Sequence, residues 1–431
     1  LDVHQYTNLT IKIARFSDKA SDDFNNNLKR VQGTGIPLVE IGREESFPNE
    51  EANIIIDALL GTGLNKPLEG DYKRLVNHIN SLGKTVVAVD VPTGFFADGE
   101  MQPDAAVLKT DLVITFQQAK INFLLPESAS YIKCCETVNI GLDEKFIASL
   151  SSPYQLVEEK DIRKMLKSRH RFSNKGTYGH ALIVAGQPET MGAALLCAAG
   201  CAYAGSGLTT ACVPQSGLTA LNSYMPEIMA IVRRDHEVPV IEWDNFNAMG
   251  IGPGLGKDEF SLALFTDILA NYKKPVVIDA DALNLLAAHK ELWDAIPPNS
   301  VLTPHMKEFD RLFGEHKNWW QRIQAGIQKA KERSLYILLK NDFTIVITPQ
   351  GKVFFNSTSN PAMATGGMGD VLTGIITSLL AQKYTPEHAC IIGTFIHGKA
   401  GDELALPNRM NVVLPGLLAA RLPVTMAKLM A

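Results

Sequence analysis

At 431 residues the chain is too long for one ordinary hydrophobic core, so two or three domains are expected. Hydrophobic residues make up 46% and charged residues 20%, the balance of a soluble globular protein. A formal charge of -5 supplies no basic field for nucleic acid, and no apolar run is long enough to span a membrane.

In chain order, Ile54-Ile55-Ile56-Asp57-Ala58 and Val86-Val87-Ala88-Val89-Asp90 are short β-branched runs containing an acid near their ends. Leu112-Val113-Ile114-Thr115-Phe116 and Thr137-Val138-Asn139-Ile140 follow. Continuous apolar runs of this length predict buried parallel strands. Residues 149–153 read as a linker and 158–171 as a charged helical stretch, which sets domains at 1–150 and 154–431. The second block predicts strands at 180–185, 208–213, 248–251, 276–279 and 300–303, then 336–339, 344–347 and 353–356. An Ala/Leu-rich helix is predicted over 191–205, and the last strands lie close enough to form hairpins, with Pro349-Gln350-Gly351 as a turn. After Asp370 the chain reads as largely helical. Strands alternating with helices predict an α/β fold of doubly wound sheets, with ligands at the carboxyl ends of the strands.

The stretch Thr365-Gly366-Gly367-Met368-Gly369-Asp370 opens the last helical region. Glycines there let several amides point one way at a helix start, an arrangement that favours phosphate. Asp370 at the same spot could accept a proton from a hydroxyl attacking a phosphoryl group. A tight loop with no ligand is the alternative. Gly250-Ile251-Gly252-Pro253-Gly254-Leu255-Gly256 is either a ligand approach or a loop with positive-φ requirements. Asp279 and Asp281 close a strand, and a helix N-cap explains one of them. His305 and Glu308 sit one turn apart, with Glu308 equally readable as a first-turn dipole partner. Lys340-Asn341-Asp342 follows a buried strand and could cover a nucleotide. No G-x-x-x-x-G-K-[ST], G-x-S-x-G or H-E-x-x-H pattern occurs. Of the six cysteines, Cys197 and Cys201 stand at i, i+4 in the Ala/Leu-rich helix and read as core. With no secretion signal, the cytoplasm is the expected compartment, and a chain that begins with Leu1 is expected to be a fragment.

Taken in order, the pieces from Lys175 to Asp370 resemble the ADP/ATP-dependent NAD(P)H-hydrate dehydratases of the ribokinase-like superfamily. Asp57-Ala58-Leu59-Leu60-Gly61-Thr62-Gly63-Leu64 and Val89-Asp90-Val91-Pro92-Thr93-Gly94 resemble the NAD(P)H-hydrate epimerase domain. Fusion in this order is similar to the bacterial bifunctional repair enzymes, and the match covers nearly the whole chain. The resemblance implies a ribokinase-like domain behind an incomplete Rossmann-like one.

By that resemblance, a nucleotide phosphate activates the hydroxyl of (6S)-NAD(P)HX and elimination restores NAD(P)H. Asp370 would orient and deprotonate the hydroxyl, with the amides of Gly367, Met368 and Gly369 holding the phosphoryl group. The helix N-terminus is expected to lower the Asp370 pKa, leaving it mainly a positioning group. Ala193, Gly254 and His305 would meet the substrate; Lys340, Asn341, Asp342, Phe343, Thr344 and Gly369 would meet the nucleotide. Relatives usually carry Lys-Gly-Ala where this chain has Lys340-Asn341-Asp342. ADP or ATP is the implied donor, with Mg²⁺ and with Glu308 acting through water. In the epimerase part, Asp57 and Thr93 would be K⁺ ligands. Gly61, Thr62, Gly63, Leu64, Asn65, Lys66, Pro67 and Asp90 would contact substrate, Asp90 carrying a proton. The family's Gly-Gly-Asp loop would precede Leu1, so epimerase activity of this polypeptide is expected to be damaged or absent. Relatives assemble, so a homo-oligomer is expected by analogy. The competing readings are a ribokinase-like vitamin or sugar kinase, whose product is a stable phosphate ester, and a nucleotide-binding sensor without turnover.

Overall fold

The computed structural model describes residues 8–47, 49–234 and 237–431. Its contacts divide the chain into two units, Leu1–Leu150 and Ser151–Ala431.

In the first unit, β1 (Ile11–Ala14), α1 (Asp22–Gln32) and β2 (Leu38–Ile41) form a two-stranded parallel sheet. The Ser21 side chain starts α1 by accepting from Phe24 N at 3.1 Å. β3 (Ile54–Asp57), α2 (Gly70–Ser81), β4 (Thr85–Val89), β5 (Leu112–Phe116) and β6 (Cys135–Val138) follow, then α3 (Glu144–Ser149). The four strands form a second parallel sheet in the order β3-β4-β5-β6. Leu75 and Val76 of α2 are buried, Val76 packing with Leu68, Val86 and Leu108. β3 corrects one expectation. Its apolar run predicts a buried strand, yet Ile54 and Ile56 are 57% and 56% exposed on one face of this edge strand, while Asp57 on the other face is buried.

The second unit contains β7 (Tyr154–Val157), α4 (Glu159–Met165), β8 (His180–Val184), α5 (Met191–Tyr203), β9 (Leu208–Pro214), α6 (Leu218–Tyr224) and β10 (Met229–Arg233). Next come β11 (Ala248–Ile251), α7 (Glu259–Asn271), β12 (Val276–Ile278), α8 (Ala280–Ala288), β13 (Val301–Leu302), α9 (Met306–Phe313) and α10 (Trp319–Arg333). The chain closes with β14 (Tyr336–Leu339), β15 (Ile345–Ile347), β16 (Val353–Asn356), α11 (Met368–Ala381), α12 (Pro386–Asn408) and α13 (Pro415–Met430). One ten-stranded sheet runs β10-β9-β8-β11-β12-β13-β14-β15-β16-β7. Pairing is parallel from β10 to β14, so the carboxyl ends of β8, β11, β12, β13 and β14 open along one edge. The β14–β15 and β15–β16 pairs are antiparallel hairpins.

Two differences from the sequence reading stand out. β1, β2, β7 and β10 fall where no strand is expected, and the charged stretch after residue 158 is helical only over Glu159–Met165. Beyond it, tertiary contacts hold an extended chain: Lys167 N donates to the Tyr384 hydroxyl at 2.9 Å, and Arg169 stacks 3.9 Å over the Tyr178 ring.

α11 is buried on almost every side, with Val371, Ile375, Ile376 and Leu379 all at 0% exposure. It packs on α5 at backbone distance. A Cβ at Gly200 would stand 2.5 Å from the Val371 carbonyl oxygen, and one at Gly374 would collide with the Cys197 carbonyl. Cys197 and Cys201 are fully buried in this seam and serve as core. Among the described residues, no helix is long and apolar enough to cross a membrane.

Candidate active site

The glycine loop turns sharply into α11. Of its three glycines only Gly367 adopts a positive φ, 97°, and it is the N-cap. A Cβ there would also stand 2.5 Å from Leu196 Cδ1. The amides of Met368, Gly369 and Asp370 precede the first helical bond, Val371 N to Gly367 O at 3.2 Å, and so lack an intrahelical acceptor. With the positive end of the α11 dipole they form an anion site. From α12, His397 Nε2 reaches the Met368 carbonyl at 3.1 Å. Burial pushes the His397 pKa down to about 4, so the ring is a neutral donor that steadies this turn.

Asp370 corrects a second expectation. Its pKa is raised from 3.8 to about 7, first by burial and then by the charge of Asp279, with Lys340 opposing. Desolvation and a like charge outweigh the helix dipole, so the carboxyl is a competent base near neutral pH. Asp279 occupies the N-cap position of α8, but its side chain does not cap. Its Oδ1 accepts from Lys340 Nζ at 2.8 Å and its Oδ2 from Thr373 Oγ1 at 2.7 Å. Burial pulls the Lys340 pKa down, but the carboxylates of Asp279, Glu308 and Asp370 more than reverse this, and the ammonium form is favoured.

Neighbouring strand ends supply the rest. Gly254, after β11, has φ 56° and passes its carbonyl to Thr190 Oγ1 at 2.7 Å; Ala193 lies one turn further into α5. Asp281 Oδ2 accepts from Gly256 N at 3.0 Å, tying this loop to α8. His305 Nδ1 accepts from the Lys307 and Glu308 amides at 3.1 and 3.3 Å, while Glu308 Oε2 accepts from His305 N at 2.9 Å. That reciprocal box caps α9, and Nε2 of His305 lies 3.5 Å from Glu308 Oε1. Lys340 N bonds the Pro304 carbonyl at 2.9 Å, which sets His305 beside Lys340.

A cavity of about 250 Å³ opens on the other side of Lys340. Lys340, Asn341, Asp342, Thr344, Met368 and Gly369 line it, but Phe343 does not. Asn341 Oδ1 is taken by Asp342 N at 2.7 Å, and its buried Nδ2 has no partner. Ala193, Gly254 and His305 lie outside this cavity.

In the first unit, Asp57 and Thr93 meet at the ends of β3 and β4. The Asp57 carboxylate accepts from Thr93 N at 2.7 Å, Thr93 Oγ1 at 2.7 Å and Leu59 N at 3.2 Å, and Thr93 Oγ1 accepts from Leu60 N at 3.2 Å. Burial still pushes the Asp57 pKa up against those bonds. Asp90 has φ 67° and pairs with Lys120 at 2.9 Å. Burial alone would raise its pKa, but bonds from Phe116 N and Lys120 bring it below the usual aspartate range. Gly61, Thr62, Gly63, Asn65, Lys66 and Pro67 are exposed, whereas Leu64 packs against the Leu68 and Val76 cluster.

Thr373 and His397 carried no signal strong enough to be singled out, although Thr373 stands at i+3 from Asp370, on the same helix face. His397 sits in a helix with no motif around it.

Residues 181–423 match the family model described as NAD(P)H-hydrate dehydratase, and residues 4–121 match that of the YjeF-related protein N-terminus. The chain is 34% identical to the bifunctional NAD(P)H-hydrate repair enzyme of Moorella thermoacetica, over 94% of this chain and 80% of that protein. It is 32% identical to the enzyme of the same name from Thermofilum pendens, over 89% and 76%. The structure of the ADP/ATP-dependent NAD(P)H-hydrate dehydratase of Bacillus subtilis, co-crystallised with ATP and Mg²⁺, superposes with TM-score 0.57 and 29% identity, covering 64% of this chain and 98% of that one. The chain therefore belongs to the bifunctional NAD(P)H-hydrate repair enzyme family.

Proposed function

We propose that residues 154–431 dehydrate (6S)-NAD(P)HX to NAD(P)H at the expense of ADP or ATP, and that the domain to which residues 1–150 belong serves, when complete, epimerisation of the (6R) form. The observation that carries this reading is Asp370, a carboxyl raised to about 7 at the head of the unpaired α11 amides. A base beside an anion site suits attack of a hydroxyl on a phosphoryl group. The hydroxyl oxygen forms a bond to the terminal phosphorus, the bond to the nucleotide's bridging oxygen breaks, and the hydroxyl proton passes to Asp370. The amides of Gly367, Met368 and Gly369 meet the charge on the transferring group. In the elimination the C–O bond then breaks, phosphate leaves with the electron pair, and a proton from the adjacent carbon is lost.

The nucleotide fits the cavity lined by Lys340, Asn341, Asp342, Thr344 and Gly369, where the unpartnered Asn341 Nδ2 offers it a donor. Ala193, Gly254 and His305 offer the substrate side. Glu308, buried and already accepting from His305 N, would be the carboxylate that meets a hydrated Mg²⁺ arriving with the nucleotide. The ion would neutralise phosphate charge. Potassium fits poorly at Asp57 and Thr93. Three of the roughly four acceptor positions of the Asp57 carboxylate are already used, and Thr93 Oγ1 both donates and accepts. Asp90, kept ionised by Lys120, is an orienting charge for the epimerisation more than a proton carrier.

The test mixes the protein with hydrated NADH and ADP or ATP and follows dihydronicotinamide absorbance. Recovery is expected with at least one donor. A folded sample that restores none with either would overturn the reading.

A further inference from the structure

Asp279 is 1% exposed and leaves the amides of its own helix α8 uncapped by its side chain. The residue after it, Ala280, has φ 49°, a left-handed conformation that side chains avoid. This strained turn directs the carboxylate away from α8, to Lys340 on one oxygen and Thr373 on the other. Thr373 shares a face of α11 with Asp370. A Cβ at Gly369, the residue before Asp370, would stand 3.3 Å from Lys340 Nζ and 3.8 Å from Asp279 Oδ2. The clamp thus lies against the turn that carries the base.

We propose that Asp279 is a positioning residue for the dehydration: clamped between Lys340 and Thr373, it keeps a negative charge beside Asp370 and makes that carboxyl a proton acceptor. The inference rests on the part given to Asp370 above. The groups facing Asp370 come from several elements. Asp279 and Asp281 of α8 favour its protonated form, and Lys340 after β14 opposes them. Cys197 of α5 also faces it, but burial pushes that thiol well up and keeps it neutral. Glu308 of α9 and His397 of α12 face Lys340, Glu308 adding to its hold on the proton. Without Asp279, Lys340 would be left with Asp370 as a partner and would hold it ionised, a weaker base.

The test is the pH dependence of kcat/KM for hydrated NADH at saturating nucleotide, in wild type, Asp279→Asn and Lys340→Met. Asp279→Asn is expected to move the acid limb down by about one pH unit or more, and Lys340→Met to move it up. A fall in rate at every pH with the limb unmoved would make Asp279 a structural residue and overturn the proposal. Should Asp279→Asn fail to fold, Lys340→Met decides alone, and a limb that stays or moves down overturns it. The two readings fail separately. Wild type that restores no NADH sinks the reading of the site, and this inference with it; wild type that turns over while the limbs stay put sinks this inference only.

Discussion

Gly374 of α11 and Cys197 of α5 meet backbone to backbone, with no room for a Cβ on Gly374 beside the Cys197 carbonyl. The helix that carries Asp370 is thereby seated on the helix that carries Ala193, so core packing and site geometry are one arrangement. Gly374→Ala is predicted to cost roughly 2 kcal/mol or more, because a buried helix cannot yield without moving its neighbours. The corresponding loss in Tm is about 4–8 °C. Thermal denaturation checks this, and a Tm within about 1 °C of wild type would show that the seam is loose.

Asp370 is predicted to oppose stability where it is ionised. Its folded pKa, about 7, lies above the ordinary aspartate value of 3.8. A group raised in this way contributes stability that is complete below the unfolded pKa and lost as pH rises through the folded one. Asp370→Asn cannot ionise, so it should exceed wild type in stability by ~2 kcal/mol at about pH 8, the excess shrinking toward about pH 4. Its turnover should fall at least ~100-fold. Denaturation of both proteins across that pH range checks the sign; an excess that does not vary with pH would contradict it.

Asn341 is predicted to act on nucleotide binding alone. Its buried Nδ2 lacks a protein partner, and a donor of that kind is worth about 1 kcal/mol to a ligand that satisfies it. Asn341→Ala should raise the KM for nucleotide by roughly 5-fold and change kcat by less than ~2-fold. Steady-state titration with nucleotide separates the two; a loss confined to kcat would place Asn341 elsewhere in the reaction.

Local chemistry made the fold legible. The apolar runs from Ile54 to Phe116 and from His180 to Asn356 are dense enough in β-branched and aromatic residues to announce most strands, and the run into Asp370 announces a helix start. What stayed hidden depends on residues far apart in sequence. Thr373 and Asp279 are separated by 94 residues, so nothing around Asp370 reveals the carboxylate that raises its pKa. The helix dipole is visible in sequence and pointed to the opposite shift. Phe343 outside the cavity and Leu64 against the Leu68 cluster were not legible for a related reason, since a loop's sequence does not say which side chains turn toward a cavity and which anchor the loop. β7 and β10 are short, and sheet pairing at the two edges of the ten-stranded sheet made them strands.

In the proposed reaction a phosphoryl group is first transferred to the substrate hydroxyl and then expelled. That order is tested most directly by following NADH formation and inorganic phosphate release together, from hydrated NADH with ADP or ATP. Both are expected at the same rate and in equal amounts, and neither without nucleotide. A stable phosphorylated product without NADH, or NADH formed with no nucleotide consumed, would contradict it.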